Sequence, residues 1–196
     1  MRLVLATANP HKATEIAAVM PPELELMPRP SHVAEVEEDG LTLEDNARLK
    51  ARALMRATGL AALADDTGLE IAVLGGAPGV YSARWAGEGC SYADNVAKVL
   101  RELDGVEVQD RIARFATVAL VAFPDGRELV AVGEVQGRIA TEARGTNGFG
   151  YDPVFIPDRG GGRTFAEMSD HDKNAISHRG RAMRAMAVLL AAEPSL

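Results

Sequence analysis

Cysteine and long apolar runs are both scarce in this chain of 196 residues. The one cysteine, Cys90, excludes an internal disulfide framework and any zinc site built from several cysteines. No apolar run approaches the roughly 20 residues needed to span a bilayer, and the apolar start at residues 3–6 is too short for a signal-peptide core. These absences predict a cytoplasmic protein without a membrane partner.

Positive charge and aromatic side chains are also in short supply. The formal net charge is −7, and aromatic residues make up 5% of the chain. Nucleic-acid-binding proteins usually present a basic face, so the acidic balance argues against a nucleic-acid partner. A small phosphorylated ligand in a local basic pocket remains compatible with this charge.

Lysine is rare even among the basic residues. Of 21 basic side chains, 17 are arginine and four are lysine: Lys12, Lys50, Lys98 and Lys173. A lysine ammonium is a compact point charge that suits a single phosphate oxygen, whereas arginine presents a planar fork. The lysines are therefore candidates for phosphate contacts, although so small a number also arises by chance.

Apolar patterns predict that strands and helices alternate in the first half of the chain. The predicted elements cover residues 2–7, 12–20, 24–27, 42–58, 60–63 and 91–103. Pro124-Asp125-Gly126-Arg127 indicates a hairpin turn, and residues 177–192 have the pattern of a closing helix. This order predicts a single α/β domain over residues 1–196 with a mixed sheet.

Two adjacent aspartates, Asp65 and Asp66, follow the apolar segment 60–63 and precede Thr67-Gly68. The pattern predicts that the strand ends at the carboxylates and that a turn follows. Neighbouring strand residues point to opposite faces, so one aspartate faces a ligand while the other braces the loop. The alternative is an ordinary acidic turn.

Two further segments are candidates for binding phosphate and metal. The turn from Thr7 to Lys12 leads into a helix, whose first N–H groups form a ready anion site; the alternative is an ordinary N-capped turn. An acidic run begins at Glu35 and includes Glu37 and Glu38. Mg²⁺ takes only one or two protein carboxylates, so this run either donates one ligand or is simply solvated.

Residues 145–153 are glycine-rich, and two glycines flank Phe149. Such a backbone bends tightly and presents the ring to a planar ligand, unless the stretch is only a structural turn.

A locally basic segment, Lys173 to Arg179, then opens the predicted last helix. Positive side chains at a helix N-terminus oppose the dipole, which hints at a ligand; the alternative is an exposed basic face. Lys50, on the predicted helix between the two acidic segments, either borders the same cleft as their carboxylates or lies at the surface.

Taken together, these segments resemble the inosine triphosphate pyrophosphatase family, in an order and spacing that cover nearly the whole chain. The matching segments are Thr7-Ala8-Asn9-Pro10-His11-Lys12, Glu37-Glu38-Asp39-Gly40-Leu41-Thr42, Asn46-Ala47 with Lys50-Ala51, Ala64-Asp65-Asp66-Thr67-Gly68-Leu69, Gly75-Gly76-Ala77-Pro78-Gly79-Val80-Tyr81-Ser82-Ala83-Arg84, Gly148-Phe149-Gly150-Tyr151-Asp152-Pro153 and Lys173-Asn174-Ala175-Ile176-Ser177-His178-Arg179. Three of the four lysines fall within them.

The resemblance implies an elongated, mixed-sheet α/β fold with two lobes flanking a central nucleotide-binding cleft, and a homodimer. It also implies Mg²⁺-dependent hydrolysis of ITP, dITP and XTP to the monophosphate and pyrophosphate, which cleanses the nucleotide pool. By position, Asp66 is expected to activate water and help to hold the metal. Glu37 or Glu38 is expected to be the second metal ligand.

The same resemblance assigns other residues to the substrate. Expected triphosphate contacts are Thr7, Ala8, Asn9, Pro10, His11, Lys12, Lys50 and Thr67. Expected base and sugar contacts are Phe149, Gly150, Tyr151, Asp152, Lys173, His178 and Arg179. One departure is Ala8, where many relatives carry glycine; a left-handed backbone there would alter the phosphate loop.

Two other functions are compatible with these residues. A nucleotide sensor that binds without hydrolysis would keep Phe149, His178 and Arg179 but have no use for Asp66. A pyrophosphatase that acts on canonical or pyrimidine triphosphates would keep the phosphate-binding residues and differ in its choice of base.

Overall fold

The computed structural model describes residues 1–34 and 36–193. Glu35, where the predicted acidic run begins, and residues 194–196 of the predicted domain lie outside the described residues. The strands are β1 (Arg2–Leu5), β2 (Glu25–Met27), β3 (Ala62–Ile71), β4 (Pro78–Gly79), β5 (Ile112–Ala122), β6 (Glu128–Ile139) and β7 (Phe155–Pro157). The α-helices are α1 (Pro10–Val19), α2 (Leu43–Thr58), α3 (Tyr92–Glu102), α4 (Asp170–Ile176) and α5 (His178–Ala191).

The strands form a mixed sheet in the order β2-β1-β3-β5-β6-β7, with β4 paired to β3. β1 runs parallel to β2 and to β3, whereas β4 and β7 are antiparallel to their neighbours. The predicted α/β class with a mixed sheet is therefore confirmed. No helix in the described ranges combines the length and the apolar character needed to cross a membrane.

The chain divides into two compact units. Unit 1 comprises Met1–Asp66, Thr117–Gly133 and His178–Leu196, and unit 2 comprises Thr67–Ala116 and Glu134–Ser177. Each unit has an apolar core of its own. The core of unit 1 includes Leu3, Ile16, Leu63, Phe123 and Met186, and that of unit 2 includes Leu69, Val99, Phe115, Phe155 and Phe165.

The aspartate pair lies within a strand rather than at its end. β3 continues through Asp65, Asp66 and Thr67 to Ile71, and Gly68 keeps the extended backbone of the strand. The prediction of a turn at Gly68 is therefore wrong. Cations from distant parts of unit 1 neutralise both carboxylates, so the strand does not have to turn outward to water at this point.

Two helices, rather than one, lie near the C-terminus. Ser177 has an extended backbone (φ −68°, ψ 160°), and its N–H ends α4 by donating to the carbonyl oxygen of Lys173 at 2.8 Å. The prediction that residues 173–179 open a single helix is therefore wrong. Lys173 belongs to α4 in unit 2, whereas His178 and Arg179 begin α5 in unit 1.

Local capping explains where two of the predicted helices begin. The Thr42 hydroxyl accepts the N–H of Asp45 at the start of α2. Ser91 and Asp94 form a reciprocal capping box at the start of α3. Both caps satisfy N–H groups that have no partner within the helix.

Candidate functional site

Side chains of the turn between β1 and α1 close the turn itself. Asn9 is the N-cap of α1: its Oδ1 accepts the N–H groups of His11 at 3.0 Å and Lys12 at 3.4 Å. The Thr7 hydroxyl oxygen accepts the N–H of Asn9 at 3.1 Å. Pro10 occupies the first helical position, where a missing N–H is tolerated. The N-capped turn offered by the sequence is present, and it leads directly to Lys12.

Ala8 and His11 are exposed on this turn. No non-glycine residue in the described part of the chain has a positive φ. Ala8 therefore does not require a left-handed backbone, and the change in loop geometry that depended on one does not follow.

Asp65 is the buried centre of an ion network in unit 1. Its side chain is fully buried, with Oδ2 3.3 Å from Nζ of Lys12 and 3.1 Å from Nε of Arg179. Arg179 also donates through Nη1 to Glu15 of α1. Burial alone would raise the pKa of Asp65, but the charges of Lys12 and Arg179 outweigh it and lower the pKa. Asp65 is consequently an ionised partner of two cations.

Lys12 is buried enough that its protonation depends on its neighbours. Burial lowers the pKa of its ammonium, and the charge of Arg179 lowers it further, while Asp65 opposes both effects. An anion placed beside this nitrogen would favour the protonated form, because opposite charges stabilise the ionised state.

Asp66 is bound by a different set of side chains. Its Oδ1 accepts from Nζ of Lys50 at 2.9 Å, and its Oδ2 accepts from Nδ2 of Asn46 at 3.3 Å. The Lys50 nitrogen also lies 3.2 Å from Oε1 of Glu38. Burial raises the pKa of Asp66; Lys50 opposes that shift and the charge of Glu38 adds to it. The two adjacent aspartates therefore differ in both partners and acidity.

The Asp66 and Glu38 carboxylates are chemically suited to a divalent cation. Both contact one ammonium nitrogen, that of Lys50, so they already share one cation. The described residues contain no group of three or more histidine, cysteine, aspartate or glutamate side chains that could hold a metal ion. Mg²⁺ does not need such a group, since one or two carboxylates with water and phosphate suffice.

Asp152 organises the glycine-rich loop of unit 2. Its Oδ2 accepts the N–H of Phe149 at 2.8 Å and an N–H of the Lys173 ammonium at 2.5 Å, and both Asp152 and Lys173 are buried. Gly148 has φ +74°, and a Cβ there would lie 2.0 Å from the same carboxylate oxygen. Only glycine fits this position, because both the conformation and the space exclude a side chain.

Phe149 is half-buried between a cation and a second ring. The Lys173 nitrogen lies 5.0 Å from the centre of the Phe149 ring, within cation–π range. The ring of Tyr92 lies 5.8 Å away at an interplanar angle of 47°. Tyr151 is buried, and its hydroxyl donates to the Ser82 carbonyl at 2.9 Å. Gly150 supplies the left-handed residue between the two aromatics.

The predicted site residues fall into two sets, one in each unit. Unit 1 contains Thr7, Ala8, Asn9, Pro10, His11, Lys12, Glu37, Glu38, Lys50, Asp66, His178 and Arg179, and unit 2 contains Thr67, Phe149, Gly150, Tyr151, Asp152 and Lys173. Glu37 is exposed, whereas Glu38 contacts Lys50. Residue 178 is buried in the first turn of α5.

Sequence reasoning assigned no role to three residues that contact these sets: Glu15, Asn46 and Tyr92. Helical spacing offered a signal for two of them. Glu15 lies three residues after Lys12 on α1, and Asn46 lies four residues before Lys50 on α2, so each shares a helix face with its lysine. Nothing in the pattern indicated that Tyr92 would contact Phe149.

Buried ionisable groups with shifted pKa values cluster at functional sites, and the group around Asp66 has this character. Residues 3–189 match the family described as the Ham1 family. The chain belongs to the Ham1 family, which confirms the predicted relationship.

Three similar proteins illustrate the match. A Streptomyces avermitilis protein named dITP/XTP pyrophosphatase is 47% identical over 188 residues, covering 93% of this chain and 94% of its own. A Bacillus licheniformis protein of the same name is 43% identical over 192 residues, covering 96% and 97%. The solved structure of a HAM1 protein from Coxiella burnetii has a TM-score of 0.89 and 40% identity, with 98% and 100% coverage. These relatives confirm the predicted enzyme class, a nucleoside-triphosphate pyrophosphatase.

Proposed function

We propose that this chain hydrolyses the non-canonical purine nucleoside triphosphates ITP, dITP and XTP to the monophosphate and pyrophosphate. The ion-pair group of buried Asp66 with Lys50 and half-buried Glu38 is the observation that carries the proposal. Relatives named dITP/XTP pyrophosphatase support the choice of substrate. The role in the cell is removal of these nucleotides from the pool.

Asp66 is the general base in this proposal. A base must lie within hydrogen-bond reach of the proton it takes, and each oxygen of Asp66 is oriented by one donor, Lys50 or Asn46. Each oxygen keeps further acceptor capacity, because a carboxylate has about four lone-pair sites in all. Asp66 orients the attacking water and accepts its proton as the anhydride bond breaks.

Lys12 and Lys50 bind the triphosphate. Phosphoryl transfer depends on positioning and on charge stabilisation more than on covalent help from the protein. Both lysines are largely buried, so each charge acts with little screening by water. The turn residues Thr7, Ala8, Asn9, Pro10 and His11, together with Thr67, complete the contacts to phosphate.

Asp66 and Glu38 would hold Mg²⁺. The contact between Glu38 and Lys50 favours Glu38 over the exposed Glu37 as the second ligand. When bound, the metal neutralises phosphate charge and lowers the pKa of a coordinated water. The side chain of Lys50 supplies the positive charge between the two carboxylates when no metal is bound.

Phe149, Gly150, Tyr151, Asp152 and Lys173 bind the base and sugar from unit 2. The ring of Phe149 offers a stacking surface, and Asp152 with Lys173 holds it in place. In unit 1, His178 or Arg179 donates to the 6-oxo group of the purine. Adenine carries an amino donor there, so ATP leaves a buried donor unpaired, at a cost of about 1–3 kcal/mol.

Pyrophosphate release from ITP with Mg²⁺ is the test of this proposal. We expect kcat/KM for ITP, dITP and XTP to exceed that for GTP, ATP and dUTP. Binding of ITP without turnover would instead identify a sensor, and equal turnover of dUTP or ATP would identify a pyrophosphatase of another specificity.

We propose a cytoplasmic homodimer in which residues 1–196 form one functional domain. Sedimentation equilibrium over a range of concentrations tests the dimer, and a monomer throughout that range would contradict it.

A further inference from the structure

Asn46 is a fully buried side chain that contacts two functional segments of unit 1 at once. Its Oδ1 accepts the N–H of Gly40 at 2.8 Å, and its Nδ2 donates to Oδ2 of Asp66 at 3.3 Å. Gly40 lies two residues after Glu38. One amide therefore connects the loop that carries Glu38 to the strand that carries Asp66.

The orientation of this amide follows from its partners. The backbone N–H of Gly40 is a donor, so the Asn46 atom facing it must be the oxygen. The NH₂ group is then directed at Asp66, which accepts. Neither contact survives if the amide is flipped, because a donor would then face a donor and an acceptor would face an acceptor.

The loop passes Asn46 too closely to admit a side chain. A Cβ at Gly40 would lie 2.6 Å from Oδ1 of Asn46 and 2.7 Å from Cβ of Asp45. Both distances are below ordinary van der Waals contact. The close approach of the loop to α2 accompanies the hydrogen bond from Gly40 to Asn46 and leaves no room for a side chain at residue 40.

Asn46 and Lys50 together bind both oxygens of Asp66. They lie one helical turn apart on α2, and each takes a different oxygen. Apart from a half turn, which exchanges the two equivalent oxygens, rotation of the carboxylate about its Cβ–Cγ bond would weaken at least one of the two contacts. Lys50 supplies charge, whereas Asn46 supplies a neutral donor whose own position is locked by Gly40.

We propose that Asn46 is a positioning residue that aligns the Asp66 carboxylate and anchors the loop carrying Glu38. The inference rests on the role given above to Asp66 and extends it to a residue that acts through the Asp66 carboxylate. Substitution of Asn46 then affects the chemical step more than substrate binding.

Two variants separate the two contacts. Asn46→Asp retains an acceptor for Gly40 but replaces the donor to Asp66 with a second carboxylate oxygen, whereas Asn46→Ala loses both contacts. We expect kcat for ITP to fall at least about tenfold in both variants, with KM changed less than about threefold. Hydrogen exchange at the Gly40 amide, measured without substrate, should accelerate in Asn46→Ala and stay near wild type in Asn46→Asp.

Asn95 of unit 2 is a matched control. It is as buried as Asn46, its Oδ1 accepts the N–H of Ala86 at 2.7 Å, and its Nδ2 donates to the Ala83 carbonyl at 3.1 Å. Asn95→Asp and Asn95→Ala should lower Tm comparably while leaving kcat within about twofold of wild type.

The outcomes distinguish this inference from the function on which it rests. A wild-type protein that releases no pyrophosphate from ITP contradicts the proposed function, while the exchange of Gly40 still tests the anchoring by Asn46. Folded Asn46 variants whose kcat falls no further than in the Asn95 variants overturn the inference. If neither Asn46 variant folds, Gly40→Ala displaces the amide from the loop side, and the same fall in kcat is expected.

Discussion

Both units bury lysine beside aspartate, but the two arrangements differ in what surrounds the pair. In unit 1, the carboxylates of Asp65 and Asp66 are bound by Lys12 and Lys50, with Arg179 adding a third cation. In unit 2, Lys173 is paired with the carboxylate of Asp152 and lies near the rings of Phe149 and Phe165.

This difference indicates two kinds of task. The charges of unit 1 alternate in sign and include a carboxylate with a raised pKa, which suits proton transfer and phosphate binding. The buried pair of Lys173 and Asp152 in unit 2 instead shapes a loop, because Asp152 also binds the backbone of Phe149. Variants in unit 1 should therefore alter kcat, and variants in unit 2 should alter stability and KM.

The largest expected effect is on stability, from Asp152→Ala in unit 2. The variant leaves the Lys173 ammonium buried without its carboxylate, which typically costs about 3–5 kcal/mol. Urea unfolding followed by circular dichroism measures the loss. A second variant that also carries Lys173→Met removes the unpaired charge and should recover part of the stability; a double variant no more stable than the single one would contradict this explanation.

Asp66→Asn should reduce kcat for ITP at least about 100-fold, the scale of a lost general base. The amide keeps the shape of the side chain and an oxygen that can accept from Lys50, which also keeps its contact with Glu38, so the variant should remain folded. Steady-state pyrophosphate release and a thermal melt make the two measurements. Near-normal turnover in a folded variant would remove Asp66 from its proposed role and weaken the contrast between the units.

Phe149→Ala should raise KM for ITP about tenfold with little change in kcat, because stacking of a base on an aromatic ring is worth roughly 1–3 kcal/mol. Tyr81→Ala is a suitable control, since Tyr81 is an exposed aromatic of the same unit. An unchanged KM in Phe149→Ala would assign base stacking to another residue.

Arg179→Ala should narrow the preference for ITP over ATP, by about tenfold if one buried donor is lost. The alanine variant also removes the cation that Asp65 and Glu15 share. Arg179→Lys, which keeps the positive charge, should therefore be measured beside it. The ratio of kcat/KM for the two nucleotides is the measurement, with exposed Arg184→Ala as control. If the ratio stays constant, base recognition lies elsewhere.

The last prediction concerns how the stability contributed by Asp65 is lost in acid. Its pKa is lower in the folded protein than in the unfolded chain, so it stabilises the fold above about pH 3.9 and loses that contribution as pH falls further. Unfolding midpoints at pH 7, 5 and 3 should show a steeper acid loss in wild type than in Asp65→Asn. Parallel profiles would mean that Asp65 has an ordinary pKa when folded.

Much of the fold could be predicted because its signals are local. Thr42 and Ser91 each cap a helix through a neighbour three residues away, and Pro124 to Arg127 closes a hairpin within four residues. Amphipathic spacing likewise gave helix α2, with Ala47, Ala51 and Leu54 buried on one face. Contacts of this range are encoded in adjacent residues, so a pattern is enough to find them.

Two local predictions failed because distant residues decide the outcome. Asp-Asp-Thr-Gly has the composition of a turn, yet it continues as strand because Lys12, Lys50 and Arg179 neutralise its carboxylates. The basic segment at residues 173–179 has the composition of one helix start, yet Ser177 separates Lys173 in unit 2 from Arg179 in unit 1. Desolvation of a charge depends on partners that sequence neighbours do not reveal.

The aspartate pair shows where sequence ends and tertiary structure begins. The sequence alone shows that two acidic residues are adjacent. Alternation along a strand then places their side chains on opposite faces of the sheet. The distribution of partners was decided only when α1, α2 and α5 packed beside β3: Asp65 binds Lys12 and Arg179, and Asp66 binds Lys50 and Asn46. Coulomb interactions and hydrogen bonds act over a few ångströms in space, whatever the separation along the chain, so the acidity of each carboxylate follows from the fold.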